Sequence, residues 1–152
     1  MKRLFSLVCA VLIALTIFTT PVSAYSENAL SSIEYYSDGS YCIIEVLEDY
    51  SRAAGTKNGT KNYSYYSSDN ELLWVVSLTG SFTYTGTTST CTASNVSVTI
   101  YNSSWYAASR ESSKSGNVAS GTATVSRKVL GITVETKIVN LTLTCDANGN
   151  LS

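Results

Sequence analysis

The chain has 152 residues and a formal net charge of −1, and only 14% of its residues are charged. It contains no histidine, which excludes Ser–His and Cys–His nucleophile pairs and histidine metal sites. It has no basic patch, phosphate-binding glycine loop or dinucleotide fingerprint, so we expect no nucleic-acid partner, no metal and no cofactor. The 11 tyrosines and abundant serine and threonine are typical of β-sheet faces.

Residues 1–24 have the pattern of a secretory signal peptide. Lys2 and Arg3 precede an apolar run, and the segment Pro21–Ala24 carries the small residues that a signal peptidase reads. Cleavage after Ala24 leaves 8 basic (10 − 2) and 11 acidic residues, a net charge of −3. The remaining chain has no run long and apolar enough to span a membrane, so we expect secretion without a stable membrane anchor.

The mature chain divides into a polar N-terminal arm, residues 25–39, and a single domain, residues 40–152. The arm shows no clear periodicity and either holds a helical turn or is a free arm. In the domain, Ser40–Asp49 alternates as a strand with Cys42, Ile44 and Val46 on one face. Residues 51–62 are predicted to form a loop, because Asn58-Gly59 suits the positive φ angles of a tight turn.

The longest alternating segment is Leu72–Tyr84, whose apolar row is Leu72, Trp74, Val76, Leu78, Phe82 and Tyr84, interrupted by Gly80. Period-two alternation over this length predicts a half-buried strand, which we expect at the centre of a sheet. Lys61–Tyr66 predicts a short edge strand that pairs with it through a turn at Ser67–Asn70. Gly80 predicts a bulge or a bend where the strand passes between sheets.

Four more strands are predicted toward the C-terminus: Asn95–Tyr101, Trp105–Arg110, Val118–Leu130 and Ile132–Cys145. In Ile132–Cys145 the apolar residues do not keep to one face of the strand, a conflict of phase. Ile132, Val134 and Ile138 are even-numbered, whereas Val139, Leu141 and Leu143 are odd-numbered, and the two sets face opposite sides of a regular strand. Either a β-bulge near Ile138–Val139 or a switch of sheets there would reconcile the two sets.

About seven strands with turns at short intervals predict an all-β fold. We expect an antiparallel β-sandwich, immunoglobulin-like or jelly-roll-like, or else a small barrel. Trp74 and Trp105 are expected in its core.

Three cysteines remain after removal of the signal peptide, and they allow three single disulfide pairings. Cys91 and Cys145 each follow serine or threonine residues, and this similar setting favours a disulfide between them. Cys42 is then a buried, small apolar residue, or alternatively a reactive thiol or an intermolecular link.

Six segments between Ser40 and Ser152 carry a resemblance to known sequences: Lys61–Tyr66, Trp74–Gly86, Thr90–Thr92, Trp105, Val129–Thr136 and Leu141–Ser152. They resemble a family of small secreted proteins of unknown function from Gram-positive, clostridial-type bacteria. The resemblance implies an exported, single-domain bacterial protein and supports the pairing of Cys91 with Cys145. Because that family has no assigned activity, the resemblance implies no catalytic residues.

Aromatic side chains are the strongest functional lead. Tyr63, Tyr65, Tyr101 and Tyr106 are candidate ligand-binding residues, because tyrosines flanked by Asn and Ser stack on sugar rings or pack at protein interfaces. Cross-strand packing within the sheet is the alternative for Tyr63 and Tyr65. We therefore predict a non-catalytic module that binds an extracellular glycan or protein.

Two other functions are weighed against this one. The carboxylates Glu48–Asp49 and Asp69–Glu71 match a glycosidase pair in residue type, but adjacent strand residues face opposite ways and Asp69 lies in a predicted turn. We interpret them as surface acids and predict no enzyme. The alternation of hydroxyl and apolar residues in Val118–Thr144 also occurs in hairpins that insert into membranes, so a membrane-active or antagonistic protein is the alternative function.

Overall fold

The computed structural model describes residues 30–49 and 55–152, and the predicted signal peptide lies outside this range. The described residues form eight antiparallel strands and no helix. The strands are β1 (Leu30–Tyr35), β2 (Tyr41–Asp49), β3 (Thr56–Tyr66), β4 (Leu72–Tyr84), β5 (Ser89–Ile100), β6 (Trp105–Ser115), β7 (Val118–Val129) and β8 (Ile132–Thr144). Within the described residues there is thus no helix that could cross a membrane.

The strands form two sheets, and in each sheet neighbours in sequence pair with one another. Sheet A has the order β1-β2-β3-β4-β5, and sheet B the order β6-β7-β8. The predicted all-β antiparallel sandwich is confirmed, with eight strands instead of about seven. The two meanders contain none of the crossover connections that define immunoglobulin-like and jelly-roll sandwiches, and the described strands do not close into a barrel.

Strand β4 coincides with the predicted Leu72–Tyr84. Trp74, Val76, Leu78 and Phe82 of its apolar row are buried in the core, where they face sheet B. The predicted pairing of β4 with Lys61–Tyr66 through the turn at Ser67–Asn70 is confirmed, but the middle strand of sheet A is β3, and β4 lies between β3 and β5. Lys61–Tyr66 is therefore the C-terminal half of an interior strand that pairs on both sides, not an edge.

Two glycines pair directly across β3 and β4, and their surroundings explain why the predicted Asn58-Gly59 turn was wrong. Gly59 lies opposite Gly80, inside a continuous ladder. A Cβ on Gly59 would lie 2.2 Å from Leu151 Cδ1, and one on Gly80 would lie 2.6 Å from Phe82 Cε2. Gly59 leaves room for the partly buried Leu151 side chain and Gly80 for the buried Phe82 ring, and β4 remains in one sheet throughout. The irregularity expected at Gly80 lies opposite Ser81 and Phe82, where Thr92 of β5 is the extra residue.

The predicted polar arm contains an edge strand. Residues Leu30–Tyr35 pair with β2 over six positions, from Leu30 opposite Val46 to Tyr35 opposite Tyr41. The domain that the structure describes therefore begins before Ser40. Alternation in this segment is weak because both of its faces are largely exposed.

Strand β8 resolves its conflict of phase by exposing one of its two apolar sets. Val139, Leu141 and Leu143 are buried, whereas the other parity stays outside the core: Ile132, Val134 and Ile138. The bulge predicted near Ile138–Val139 was misplaced, because the register with β7 shifts between Arg127 and Lys128 and leaves Val134 as the extra residue. The strand does not change sheets.

The predicted Cys91–Cys145 disulfide is not formed, and Cys42, Cys91 and Cys145 are all buried free thiols. The backbone N–H groups of Cys91 and Cys145 donate to consecutive carbonyls of the β6–β7 turn, Gly116 at 2.7 Å and Asn117 at 3.1 Å. Each thiol contacts a backbone carbonyl instead of its neighbour, Cys91 at Ala93 (3.3 Å) and Cys145 at Asp146 (3.5 Å). Burial also raises the pKa of the Cys91 thiol, although its hydrogen bond to Ala93 opposes this.

We expect Gly80→Ala to lower the free energy of unfolding by about 1–3 kcal/mol, because the new Cβ overpacks against the buried Phe82 ring. Ser97→Ala, at an exposed position of neighbouring β5, should change it by less than about 0.5 kcal/mol. Urea unfolding followed by tryptophan fluorescence measures both. A Gly80→Ala protein as stable as the wild type would contradict this account of the glycine pair.

The three buried thiols should react slowly with an aromatic disulfide reagent in the folded chain lacking residues 1–24, and fast after unfolding in urea without reductant. Counting the thiols released by unfolding gives the direct measurement. Three reactive thiols agree with the structure. A single one would mean that two of the cysteines had paired.

Candidate binding surface at the tyrosine end

Four connections meet at one end of the sandwich, which we call the tyrosine end: residues 36–40, 67–71, 101–104 and 129–132. Backbone hydrogen bonds fix the β5–β6 connection to both sheets: on the sheet B side, Lys128 N donates to Ser104 O at 2.8 Å. On the sheet A side, Tyr101 N donates to Leu73 O at 2.9 Å. Most of the exposed aromatic and aliphatic side chains of the described chain lie at this end.

A row of tyrosines crosses the outer face of sheet A at this end. Cross-strand pairing sets Tyr35 opposite Tyr41 and Tyr41 opposite Tyr66. The ring centroids are 5.6 Å apart in the first pair and 4.9 Å in the second, whose planes differ by only 3°. Leu72 of β4 comes next, and Tyr101 lies just beyond the end of β5. We call Tyr35, Tyr41, Tyr66 and Tyr101 the tyrosine row.

The two ends of the tyrosine row face solvent. Tyr35 is 76% exposed and Tyr101 60% exposed, while the stacked Tyr41 and Tyr66 are half-buried. Partial burial raises the pKa of Tyr66, and the nearby Tyr41, Glu45 and Tyr101 raise it further. The four rings together offer an amphipathic surface.

Amide side chains border this surface. The Tyr41 hydroxyl donates to Asn70 Oδ1 at 3.2 Å, and Asn70 adopts a positive φ of 63° in the β3–β4 turn. On the other side, Asn102 Nδ2 donates to Glu71 Oε1 at 3.1 Å. The surface therefore combines aromatic rings with amide and carboxylate groups, a combination suited to ligands that carry many hydroxyl groups.

Two of the four predicted ligand-binding tyrosines lie on the inner side of sheet A. Tyr65 is only 2% exposed, stacks on Trp74 at 4.8 Å and shares a 2.8 Å hydrogen bond with Ser40 Oγ. Tyr63 stacks on Trp74 at 5.7 Å, and its hydroxyl is hydrogen-bonded to that of Tyr36. Burial raises the pKa of Tyr63, as do its hydrogen bonds to Cys42 and Tyr36. These two residues share one face, as predicted, but that face packs on the core.

The other two predicted tyrosines lie on opposite sides of the molecule. Tyr101 belongs to the tyrosine row. Tyr106 lies on the outer face of sheet B, where its hydroxyl is 3.3 Å from Thr133 Oγ1 and the Lys128 ammonium lies 4.3 Å from its ring centroid. The structure therefore does not bring Tyr63, Tyr65, Tyr101 and Tyr106 into one site.

Tyr35, Tyr41 and Tyr66 were not predicted from the sequence as a group. A signal for two of them was present, because Tyr41 and Tyr66 have the opposite parity to Cys42 and Tyr65, which are buried. Their common row depends on the β2–β3 register and on strand β1, which the weak local pattern did not predict.

A shallow cleft of about 160 Å³ lies between the two sheets at this end. Trp105 and Tyr65 line it, and Arg127 and Glu135 of sheet B lie 3.6 Å apart at its border. Across from them, Asp38 Oδ1 accepts hydrogen bonds from Ser40 Oγ (2.5 Å) and Ser40 N (3.0 Å), which lower the pKa of Asp38. The charged groups of the cleft therefore already have partners within the fold.

The acidic residues considered for catalysis are separated. Glu48 forms an ion pair with Lys57 at 2.6 Å, and Glu71 accepts the hydrogen bond from Asn102. Asp69 is exposed in the β3–β4 turn. In the part of the chain that the structure describes, no group of three or more acidic or cysteine side chains could hold a metal ion.

The β7–β8 hairpin extends beyond this cleft and is apolar at its end. We call residues 129–134 the hairpin tip. Leu130 and Gly131 form its turn with φ angles of 51° and 83°, as a two-residue type I′ connection requires. The large exposed side chains of the tip are Val129, Leu130, Ile132 and Val134.

The sequence matches no protein-family model, and comparisons with curated proteins and with solved structures give no match. The resemblance to small secreted clostridial-type proteins therefore stays a prediction.

The contrast between buried and exposed tyrosines gives a test of their roles. Tyr65→Phe should destabilise the fold by about 1 kcal/mol, because it removes a buried hydrogen bond to Ser40. Tyr101→Phe, the same change at an exposed position, should alter the free energy of unfolding by less than about 0.5 kcal/mol. Urea denaturation compares the two, and equal effects would contradict the placement of Tyr65 in the core.

Proposed function

We propose that this chain is a secreted, non-catalytic binding module that holds an extracellular glycan against the tyrosine row. The observation that carries the proposal is the row itself, because four tyrosines with a common outward face are not required by the core. A sheet places neighbouring strands about 4.8 Å apart, so a row across five strands spans about 19 Å. An extended ligand such as a polysaccharide chain fits this shape better than a compact small molecule does.

The stacking within the row decides which atoms are available to the ligand. The facing sides of Tyr41 and Tyr66 are occupied by one another, so these rings present their edges and hydroxyl groups. Tyr35 and Tyr101 are the more exposed rings, and they offer surface on which the apolar face of a sugar can lie. Asn70 and Asn102 then lie where sugar hydroxyls need hydrogen-bonding partners.

A protein ligand is the other partner that this surface suits, since tyrosine, serine and asparagine also dominate adaptable protein-binding surfaces. We favour the glycan because the hydroxyl and amide side chains continue beyond the row. On the outer face of sheet A, cross-strand neighbours pair as Asn62 with Ser77 and Thr60 with Thr79. A protein interface of useful size needs a more apolar centre.

Export is part of the proposal. It is supported by the signal-peptide pattern of residues 1–24 and by the resemblance to secreted proteins of Gram-positive bacteria. Both would place the tyrosine row outside the cell, where glycans and wall polysaccharides are abundant.

The direct experiment screens the chain lacking residues 1–24 on a glycan array and against insoluble wall polysaccharide. The double variant Tyr35→Ala/Tyr101→Ala should weaken binding to any hit at least tenfold, because it removes both exposed rings. Tyr106→Ala is the matched control, since it deletes a tyrosine from the opposite sheet and should bind like the wild type.

Absence of binding to every glycan and wall preparation would refute the proposal. Equal losses in the Tyr35/Tyr101 and Tyr106 variants would refute the assignment to the tyrosine row.

Membrane activity through the β7–β8 hairpin is the second candidate function. The exposed apolar residues of the hairpin tip favour it, but the inward row of the same hairpin packs in the core: Ala119, Ala123, Val125, Val139, Leu141 and Leu143. Insertion of the whole hairpin would require the sandwich to open. Dye leakage from liposomes at micromolar protein would support this candidate, and its absence would remove it.

A further inference from the structure

The hairpin tip concentrates apolar surface where a soluble sheet normally has polar residues. Nine large hydrophobic side chains are exposed in the described chain, and five of them belong to the β7–β8 hairpin. Scattered exposed hydrophobic residues need no explanation, but a contiguous group of this kind marks an interaction site.

Leu130 is the most unusual residue of this group. It is 98% exposed, and it occupies the first position of the type I′ turn with φ at 51°, where asparagine, aspartate or glycine is favoured. A leucine here is unfavourable for the turn and makes no contribution to the core. Its place at the apex is explained if the side chain enters an apolar medium.

The base of the tip has a net positive charge. Residues 127–138 contain Arg127, Lys128 and Lys137 against Glu135, a charge of 3 − 1 = +2, whereas the whole chain carries −1 and the remainder therefore −3. Arg127 and Lys137 share the Glu135 carboxylate at 3.6 and 3.4 Å, and Lys128 is an exposed cation of the group. Lys128 lies over the Tyr106 ring, so an amphipathic ring and an ammonium group stand side by side behind the apolar apex. Apolar residues in front of tyrosine and basic residues are the arrangement of segments that bind at a membrane interface.

We propose that the hairpin tip docks in the headgroup region of an anionic membrane without crossing it. Strands rise about 3.3 Å per residue, so Leu130 lies about 7–10 Å beyond Lys128 and Arg127. This length matches the depth to which interfacial segments enter a bilayer, about 5–10 Å. At that depth Val129, Leu130, Ile132 and Val134 contact acyl chains, while Lys128 remains at the level of lipid phosphates.

The net positive charge of residues 127–138 also argues against a second copy of the chain as the partner that binds the hairpin tip. Two tips packed symmetrically would bring their basic bases together and oppose association by like-charge repulsion. An anionic lipid surface supplies the opposite charge and an apolar layer behind it. The inference does not depend on the glycan proposal, because the tyrosine row and the hairpin tip lie on different sheets.

The experiment measures co-sedimentation with vesicles of phosphatidylglycerol and phosphatidylcholine, and with phosphatidylcholine vesicles alone. We expect reversible binding to the anionic vesicles only, weakening as salt is added and without dye leakage. Leu130→Asn should reduce that binding about tenfold or more while the fold stays at least as stable, since asparagine suits the turn better. Leu47→Asn is the matched control: Leu47 is 38% exposed on the outer face of sheet A, so this variant should bind like the wild type.

Three outcomes would overturn the inference: no binding to anionic vesicles, equal binding by Leu130→Asn, or a wild-type dimer that Leu130→Asn dissociates. The last would assign the tip to self-association. The Tyr35→Ala/Tyr101→Ala variant should keep full vesicle binding, so failure of the glycan proposal and failure of this inference give separate results.

Discussion

The aromatic cluster of Tyr65, Trp74 and Trp105 is the contact on which the rest of the structure depends. Tyr65 and Trp74 stack across β3 and β4 at 4.8 Å, and both rings meet Trp105 of sheet B at 5.9 Å. Each such pair contributes about 0.5–1.5 kcal/mol beyond the burial of its area. Trp74 Nε1 finds no hydrogen-bond partner among the described residues, at a cost of about 1–3 kcal/mol, so packing dominates at this point.

This cluster determines which tyrosines face outward. Because side chains alternate along a strand, placing Tyr65 against Trp74 directs Tyr66 to the opposite face of sheet A. The β2–β3 register then brings Tyr41 beside Tyr66, and β1 adds Tyr35. The alternation along β3 together with the β2–β3 register therefore determines both the aromatic cluster in the core and the tyrosine row on the outer face. A slip of one residue between β2 and β3 would break both.

The sequence predicted those features for which a local pattern suffices. Strand β4 was predicted to the residue because its alternation is strict over Leu72–Tyr84. The shared face of Tyr63 and Tyr65 was also predicted, but their burial was not, because it depends on Trp105 from the other sheet. The Asn58-Gly59 signal failed for the same reason: the long-range contact of Gly59 with Leu151 outweighs the local turn preference.

The edge strand and the cysteines show a second limit of local patterns. Strand β1 is exposed on both faces, so the sequence has no apolar row from which it could be predicted. Cys91 and Cys145 were predicted to form a disulfide, but both are free thiols, although the β6–β7 turn binds the backbone of both. Whether two neighbouring thiols join depends on side-chain directions, which residue types alone do not determine.

The conflict of phase in β8 is the most informative disagreement between sequence and fold. A strand that served only the core would have polar residues at Ile132, Val134 and Ile138, because all three side chains are exposed. The predicted bulge near Ile138–Val139 would have placed both sets on the inner face, but the bulge lies at Val134 instead, so Ile138 stays on the outer face and Ile132 lies at the hairpin tip beyond the core. Where a strand departs from the alternation of apolar and polar residues and the core gains nothing, the departure often marks a functional position. The same apolar pattern that obscured the structure of β8 thus identifies the surface that the fold itself does not use.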